Sequence, residues 1–311
     1  MTVASPSPVL PDWLRLLYPF RLGSMVVGTE RLSYVDEGSH DSPPLLLVHG
    51  NPTWSFLWRQ IIPSASKRFR VIAPDNIGFG LSSKPEYPGY HTLDRHIDNL
   101  TALVEGLGLK GLTLVGNGWG GPIALGYATR HPENISRILL INSWVAPFGA
   151  VKTPWQLRLA GSRIGPALVL EANAMISPGI RMLTRRAVSA DVLRAYKYPF
   201  AKSSDRIGIL AFCRMRARVP GDDGFETLDG MATKLSSLSA RVEILWGEQD
   251  PFLLGKPLPY LLRDSFRNVA DPKLLHDAGH LVPEDAPSAV TEKILEVFKP
   301  KPQAAVFNIL R

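Results

Sequence analysis

The sequence of 311 residues is poor in cysteine and has no long apolar run. Its one cysteine, Cys213, excludes a disulfide framework or a cysteine-based metal site within one chain, and it suits a reducing compartment. No apolar run approaches the roughly 18 residues of a membrane-spanning helix, so we do not expect an integral membrane protein. The first ten residues lack the basic and apolar regions of a secretory signal. We therefore expect a cytoplasmic protein.

The charge is distributed unevenly along the chain. The net charge is +7, but residues 149–219 hold 13 Lys and Arg against three acidic residues, a local charge of +10 that leaves −3 for the remainder. A basic middle on a slightly acidic body is not the footprint of a nucleic-acid-binding domain, and we expect no nucleic-acid partner. Two interpretations remain: a solvated arginine-rich surface, or a face that meets an anionic partner protein or membrane surface.

Strands alternate with helices over the first half of the chain. Apolar runs typical of strands covered on both faces are found at residues 45–49, 69–73, 112–115 and 138–142. Two short segments, 25–28 and 32–36, are typical of a hairpin pair. The intervening apolar spacing predicts helices at residues 55–65, 91–107 and 122–130.

From residue 144 to about 220 the strand runs stop, and proline-punctuated helical stretches replace them. Alternation then resumes with strands at 242–246 and 273–276 and a last helix near 286–298. This order predicts an α/β protein with a mostly parallel sheet that carries an inserted helical cap. We assign residues 1–143 and 221–300 to the core and 144–220 to the cap. Residues 301–311 form a tail or linker that ends as if cut from a longer fusion.

A glycine-rich turn at residues 116–121 (GNGWGG) follows one of the strands and opens a helix. It matches the dinucleotide fingerprint, but several strands precede it and Asn142, not an acidic residue, stands at the next strand end. The better interpretation is a nucleophile elbow, in which small residues flank a strained, exposed nucleophile. On that frame position 118 should carry the nucleophile, and it carries glycine, which has no attacking atom. We expect Asn117 to project from the other side of the turn, so it is no substitute.

Three further segments fit the same frame. Residues 49–52 (HGNP) follow a strand where the α/β-hydrolase fold places its first oxyanion-hole amide. Asp250, in residues 246–251 (WGEQDP), is the candidate acid, and His280, in residues 277–280 (DAGH), is the candidate base. His276 is an alternative base. The order nucleophile, acid, histidine is that of the fold.

With these motifs the sequence resembles the haloalkane-dehalogenase-like α/β hydrolases, from about residue 18 to residue 298. The resemblance implies the α/β-hydrolase fold, a mostly parallel eight-stranded sheet with helices on both faces and an inserted helical cap. The resemblance is carried by residues 49–59 (HGNPTWSFLWR), 75–82 (DNIGFGLS) and 119–122 (WGGP). In that family the elbow reads Asp-Trp-Gly-Gly, so Gly118 stands where the Asp nucleophile belongs. The resemblance implies that Asn51 and the indole N–H of Trp119 stabilise a departing anion, although a turn residue and a packing residue are the structural alternatives.

The acid narrows the resemblance to a subgroup. Some members take the acid from the end of the sixth strand, which is Asn142 in this sequence, and an amide cannot replace it. Asp250 with an Asn51/Trp119 pair looks like the third dehalogenase subgroup, which is similar to the bacterial β-lactone decarboxylases of long-chain olefin biosynthesis. The cap sequence at 192–219, residues 154–157 (PWQL) and the tail at 307–311 (FNILR), which is similar to the start of an acyl-activating ligase, favour the decarboxylase.

The resemblance implies conversion of a cis-3,4-dialkyl β-lactone (oxetan-2-one) to a cis-olefin and CO2, by a carbon–carbon lyase. The alternatives are a haloalkane dehalogenase, which is a hydrolase with an alkyl-Asp intermediate, and a non-catalytic binding protein. Because position 118 is glycine, we expect an inactive form, a nucleophile mutant of an otherwise intact enzyme. We expect no metal or other cofactor, a hydrophobic substrate with long alkyl chains, and pathway proteins or a fused acyl-activating ligase as partners. Apolar cap residues were expected to line the substrate space: Ile164, Leu168, Leu170, Met175, Ile176 and Leu183.

Overall fold

The computed structural model describes residues 9–145, 154–215, 217, 219–253 and 257–296. The expected tail at 301–311, and with it the expected fusion point, lies outside these residues. None of the helices in the described part is both long and apolar enough to cross a bilayer.

The strands of the described chain form one eight-stranded sheet in the order β1-β2-β4-β3-β5-β6-β7-β8. Their bounds are β1 Leu22–Val27, β2 Glu30–Glu37, β3 Pro44–Val48, β4 Arg70–Pro74, β5 Leu112–Asn117, β6 Ile135–Ile141, β7 Arg241–Gly247 and β8 Lys273–Leu275. β2 pairs antiparallel with β1 and with β4, and every other neighbouring pair is parallel. The predicted mostly parallel sheet is confirmed.

Helices surround this sheet. In the described ranges they are α1 Asp12–Leu17, α2 Ile62–Ala65, α3 Leu93–Gly106, α4 Gly120–Arg130, α5 Trp155–Ala160, α6 Ser177–Leu183, α7 Ala190–Lys197, α8 Ile207–Arg214, α9 Phe225–Ala232, α10 Leu258–Asp264, α11 Val282–Asp285 and α12 Pro287–Leu295. α3 packs against α4, and α2 packs against α12. The helix predicted over residues 55–65 is wrong: a 3-10 turn at Ser55–Trp58 precedes the short α2, which has Pro63 in its first turn.

The central strands owe their place to continuous apolar sequence. All six residues of β5 are buried, and so are the last four of β3 and the last five of β6. A strand of this kind is stable only where helices cover both faces of the sheet, which also aligns the carboxyl ends of β3, β5, β6 and β7 along one edge. Ligand sites of parallel α/β sheets lie beyond that edge.

Helices α5 to α9 occupy the stretch between β6 and β7, in which the described residues form no strand. α5 packs on α8, α6 on α7, and α7 reaches α1. The inserted helical block therefore exists as predicted, and its domain bounds remain a prediction. Of the apolar residues expected in the interior of the cap, Met175, Ile176 and Leu183 are buried. The expectation for Ile164 is wrong, because 54% of this residue is exposed.

Candidate active site

The turn after β5 brings the glycine-rich segment against the end of β3. Gly118 has a φ of +55°, in the left-handed region that favours glycine. A Cβ on Gly120 would collide with the carbonyl of Val48, and a Cβ on Gly121 would collide with the hydroxyl of Ser143. Such close approach of neighbouring backbone and side-chain atoms requires small residues, as expected for a nucleophile elbow.

Position 118 faces the candidate base. A Cβ on Gly118 would lie 2.8 Å from Nε2 of His280. Ser143 Oγ donates a hydrogen bond of 2.9 Å to the carbonyl of Gly118 and so fixes the peptide that follows the strand. A side chain at the expected nucleophile position would therefore meet the imidazole directly, at its Nε2 nitrogen.

Asp250 and His280 form a buried pair. Nδ1 of His280 donates to Oδ2 of Asp250 at 2.7 Å, with the proton assigned to Nδ1 by this contact. The other carboxylate oxygen accepts from the main-chain N–H groups of Phe252, at 2.7 Å, and Leu253, at 3.0 Å. Burial raises the pKa of Asp250, but His280 and these hydrogen bonds outweigh it, so the pKa lies below its ordinary value. The carboxylate is thus charged and can hold the imidazole ring in one orientation.

Asn142, at the end of β6, completes the surroundings of this carboxylate. Its Nδ2 donates to Oδ2 of Asp250 at 2.8 Å and to the carbonyl of Gly247 at 3.0 Å, and its Oδ1 accepts from the N–H of Gly247 at 2.7 Å. Its φ is +38°, a conformation that asparagine adopts more readily than most residues. Asn142, which cannot itself serve as the acid, therefore binds the acid, and no sequence pattern predicted this role.

His276, the alternative base, has different surroundings from the buried His280. The side chain of His276 is 85% exposed and pairs with Glu248. The side chain of Asn117 points into the interior, where Nδ2 donates to the carbonyls of Ile141 and His280, each at 3.0 Å. Neither residue faces the elbow as His280 does.

Asn51 and Trp119, the expected anion-stabilising pair, lie under the inserted helices. Nδ2 of Asn51 donates to the carbonyl of Ile209 at 3.3 Å and lies 3.6 Å from Sγ of Cys213, both on α8. The indole of Trp119 meets the rings of Trp144 and Phe212 edge-to-face, at 4.9 and 5.2 Å between centroids. These neighbours are contributed by elements far apart in sequence, which spacing alone could not reveal.

Burial raises the pKa of the Cys213 thiol to about 12, so this group stays protonated at neutral pH. A protonated thiol is a poor nucleophile and a small apolar neighbour. Cys213 therefore offers no replacement for the missing nucleophile, and its contact with Asn51 is one of packing and weak hydrogen bonding.

Two acidic residues that follow His280 in the chain fasten the inserted helices to the core. Asp285 accepts hydrogen bonds from the main chain of Gly279, at 2.8 Å, and from that of Arg185 and Arg186, at 2.9 Å each. Glu284 binds the guanidinium of Arg59 and the hydroxyl of Tyr196 on α7. Their sequence positions, next to the last helix, do not reveal these contacts, because the partners other than Gly279 lie 88 to 225 residues away.

The comparisons with known proteins agree with this geometry. Residues 43–287 match the family model of the alpha/beta hydrolase fold. A cis-3-alkyl-4-alkyloxetan-2-one decarboxylase of Shewanella oneidensis is 34% identical over 90% of this chain and 89% of its own length. A haloalkane dehalogenase of Mycobacterium marinum is 33% identical over 85% of this chain and 88% of its own. The crystal structure of a haloalkane dehalogenase from Bradyrhizobium elkani USDA94 superposes with a TM-score of 0.82 at 25% identity, covering 88% of this chain and 96% of that one. The chain belongs to the alpha/beta hydrolase fold family, among its haloalkane-dehalogenase-like members.

Proposed function

We propose that this chain has the substrate site of a β-lactone decarboxylase acting on cis-3,4-dialkyl oxetan-2-ones. We further propose that its covalent nucleophile is missing because glycine occupies position 118. The observation that carries the proposal is the buried Asp250–His280 pair, whose Nε2 lies 2.8 Å from where a side chain at position 118 would begin. A chain that had no use for this site would not need a charged carboxylate held by four donors beside a glycine. The substrate class is that of the Shewanella oneidensis decarboxylase, which is 34% identical to this chain.

With an aspartate at position 118, this site would support nucleophilic opening of the lactone ring, followed by loss of CO2 to give the olefin. The carboxylate attacks the ring carbon that bears the lactone oxygen, and that carbon–oxygen bond breaks to release the carboxylate of the opened ring. The carbon–carbon bond to this carboxylate then breaks. Its electron pair forms the olefin, CO2 departs, and the ester bond to the aspartate breaks, which regenerates the aspartate carboxylate. The sum is one lactone converted to one olefin and one CO2, with no water consumed.

Three other residues would assist these steps. The amide of Asn51 and the indole N–H of Trp119 would stabilise the carboxylate that the opened ring develops, since donors aimed at developing charge lower the barrier most in a site closed to water. His280, held in orientation by Asp250, would lie against the aspartate as it becomes a leaving group. Without a carboxylate at position 118 the first bond cannot form, and we expect the unaltered chain to bind the lactone and leave it intact.

The test is to restore Gly118→Asp and to measure olefin, CO2 and bromide from a long-chain cis-β-lactone and a long-chain bromoalkane side by side. Gly118→Asn is the matched control, because it restores nearly the same volume without a nucleophile. We expect olefin release from the aspartate variant to exceed that of the control and of the unaltered chain by at least about 10³-fold, the size of effect that removal of a covalent nucleophile produces.

The two substrates separate the candidate reactions. Fast olefin and slow bromide release would support the decarboxylase, whereas the opposite ranking would make the chain a haloalkane dehalogenase that has lost its nucleophile. If the aspartate variant is folded and turns over neither substrate, the assignment of position 118 is wrong.

A further inference from the structure

The outer side of the inserted helices carries apolar side chains that no other part of the described chain covers. On α5, Trp155 is 68% exposed and Leu159 is 38% exposed, and Ile164, just beyond the helix, is 54% exposed. Trp155 and Leu159 are four residues apart and so share one face of the helix. The opposite face carries Ala160, which is buried, and packs on α8. α5 therefore has apolar residues on both faces, and within the described part of the chain only one face is packed against another helix.

Cationic side chains accompany this outer face. Arg158 lies on α5 between Trp155 and Leu159, and together with Ser162 these residues line one shallow groove. Arg163 is exposed beside Ile164. Within the described ranges neither arginine pairs with an acidic residue, whereas Arg194, further along the same insertion, is held over the ring of Trp13 at 3.9 Å. We name the set Trp155, Arg158, Leu159, Arg163 and Ile164 the cap ridge.

The inserted segment that carries the cap ridge is strongly cationic, although Glu171 and Asp191 are also exposed on it. The segment 149–219 has a net charge of +10 on a chain whose remainder is −3. The cationic residues of this segment that are exposed in the described part are Arg158, Arg163, Arg181, Arg185, Arg186, Arg194, Lys197, Lys202 and Arg214. A field of this sign attracts an anionic surface and repels a second copy of the same face.

We propose that the cap ridge docks the protein on an anionic phospholipid bilayer. Tryptophan beside aliphatic residues and arginine is the composition of segments that lie in the membrane interface, because the ring sits at headgroup depth while the guanidinium groups meet lipid phosphates. Each arginine near such a surface strengthens binding about fivefold. The surface is independent of the reaction assigned above, and it would be retained whether the substrate is a lactone or a haloalkane.

The docking has a consequence for substrate entry. The cap ridge packs through α5 onto α8, and α8 supplies the carbonyl of Ile209 and the thiol of Cys213 that contact Asn51. The membrane-facing surface and the roof of the candidate site are thus two sides of one helix pair. A molecule with long alkyl chains partitions into bilayers, so a cap resting on lipid would receive it directly.

The experiment is co-sedimentation of the purified chain with phosphatidylcholine vesicles, with and without about 30% phosphatidylglycerol, at about 50 and about 500 mM salt. We expect binding to the anionic vesicles only, and weaker binding at the higher salt. Trp155→Ser/Leu159→Ser should reduce the partition coefficient about tenfold or more, and Arg158→Ser about fivefold. The control variants are Leu261→Ser and Lys110→Ser. Leu261 is 58% exposed on α10, and Lys110 is exposed on the surface outside the inserted helices.

Each result decides the matter. Sedimentation with anionic vesicles that the cap-ridge variants lose and the two control variants keep would establish the docking surface. Equal losses in the controls, unchanged binding by the cap-ridge variants, equal binding to neutral vesicles, or no binding to either kind of vesicle would overturn it. Absence of vesicle binding together with salt-sensitive self-association or capture of an acidic protein would make the cap ridge a protein interface instead. Because only binding is measured, failure here leaves the proposed reaction untouched.

Discussion

The two halves of the candidate site differ in how completely they are built. In the acid–base half, Asp250 receives hydrogen bonds from His280, Asn142 and two main-chain N–H groups. In the nucleophile half, Gly118 keeps the left-handed backbone of the elbow but has no side chain with which to use it. The comparison teaches that the elbow and the acid–base pair are set by backbone packing and by Asp250, and that neither depends on an attacking side chain.

The largest expected effect comes from breaking the complete half. In the Gly118→Asp background, Asp250→Asn should lower olefin release by about 10³- to 10⁴-fold, because an amide neither holds the imidazole ring in the same tautomer nor stabilises its charged form. Product formation under single turnover measures this. Retention of more than about a tenth of the activity would show that the acid–base half is only structural.

A smaller effect should follow from the leaving-group side. In the same background, Asn51→Leu should lower the rate of olefin release by about 10²-fold, the cost of removing one donor to a developing anion, with a smaller change in substrate affinity. The matched control is Cys213→Ala, which removes the other partner of the same contact and should change the rate far less. If both variants lose the same activity, Asn51 acts by holding α8 in place.

Restoring the missing half should itself lower stability. A side chain at position 118 must adopt a φ near +55° and must displace Nε2 of His280, which lies 2.8 Å from its Cβ. We expect Gly118→Asp to reduce the free energy of unfolding by about 1 to 3 kcal/mol, measured by urea denaturation. Gly28, which also has a positive φ and has open space around it, provides the control. A Gly28→Asp variant with an equal loss would show that backbone strain alone, without the contact to His280, explains the cost.

The buried side chain of His96 differs from that of Asp250 in its hydrogen bonding, because it has no hydrogen-bond partner in the described structure. Burial, and then the neighbouring His91 and His49, lower the pKa of His96 well below its ordinary value. Below about pH 6.5 the unfolded chain therefore binds a proton at His96 that the folded chain does not bind. The contribution of neutral His96 to the free energy of unfolding is fully present above about pH 6.5 and is lost as the pH falls.

The His96→Phe substitution should remove the part of the pH-dependent loss of stability that His96 causes. Between about pH 6.5 and 5 the variant should lose less stability than the parent, by up to about 1.4 kcal/mol per pH unit. Urea midpoints at both pH values measure the difference. His91 and His49, whose pKa values burial lowers to about 4, stay in both proteins and titrate alike. Parallel loss of stability in parent and variant would contradict the account.

Much of the fold followed from local pattern. Continuous apolar runs predicted the strands, and the gap between residues 144 and 220 predicted the inserted helices, because both signals are carried by neighbouring residues. The helix over residues 55–65 was wrong because a proline and a 3-10 turn interrupt an apolar segment that periodicity alone cannot divide. The expectation that Ile164 contributes to the cap interior was wrong, because an apolar residue in a helical insertion can face either the interior or solvent.

The site divides in the same way. His280 and Asp250 follow strand ends and were predictable from chain order, and the structure pairs them at 2.7 Å. The partners of Asn142 and Asn51 were not predictable. The bond from Asn142 to Asp250 joins residues 108 positions apart, and the bond from Asn51 to Ile209 joins residues 158 positions apart. Only the packing of β6 beside β7, and of α8 over the sheet edge, creates these contacts.

The most direct test of the central claim uses the unaltered chain. A long-chain cis-β-lactone is mixed with the protein, bound ligand is separated by rapid gel filtration, and lactone and olefin are quantified by gas chromatography. We predict one lactone recovered intact per chain and no olefin above the protein-free control. Olefin formation by the unaltered chain would contradict the account, because it would require a nucleophile other than position 118, and absence of binding would show that the site is not one for this lactone.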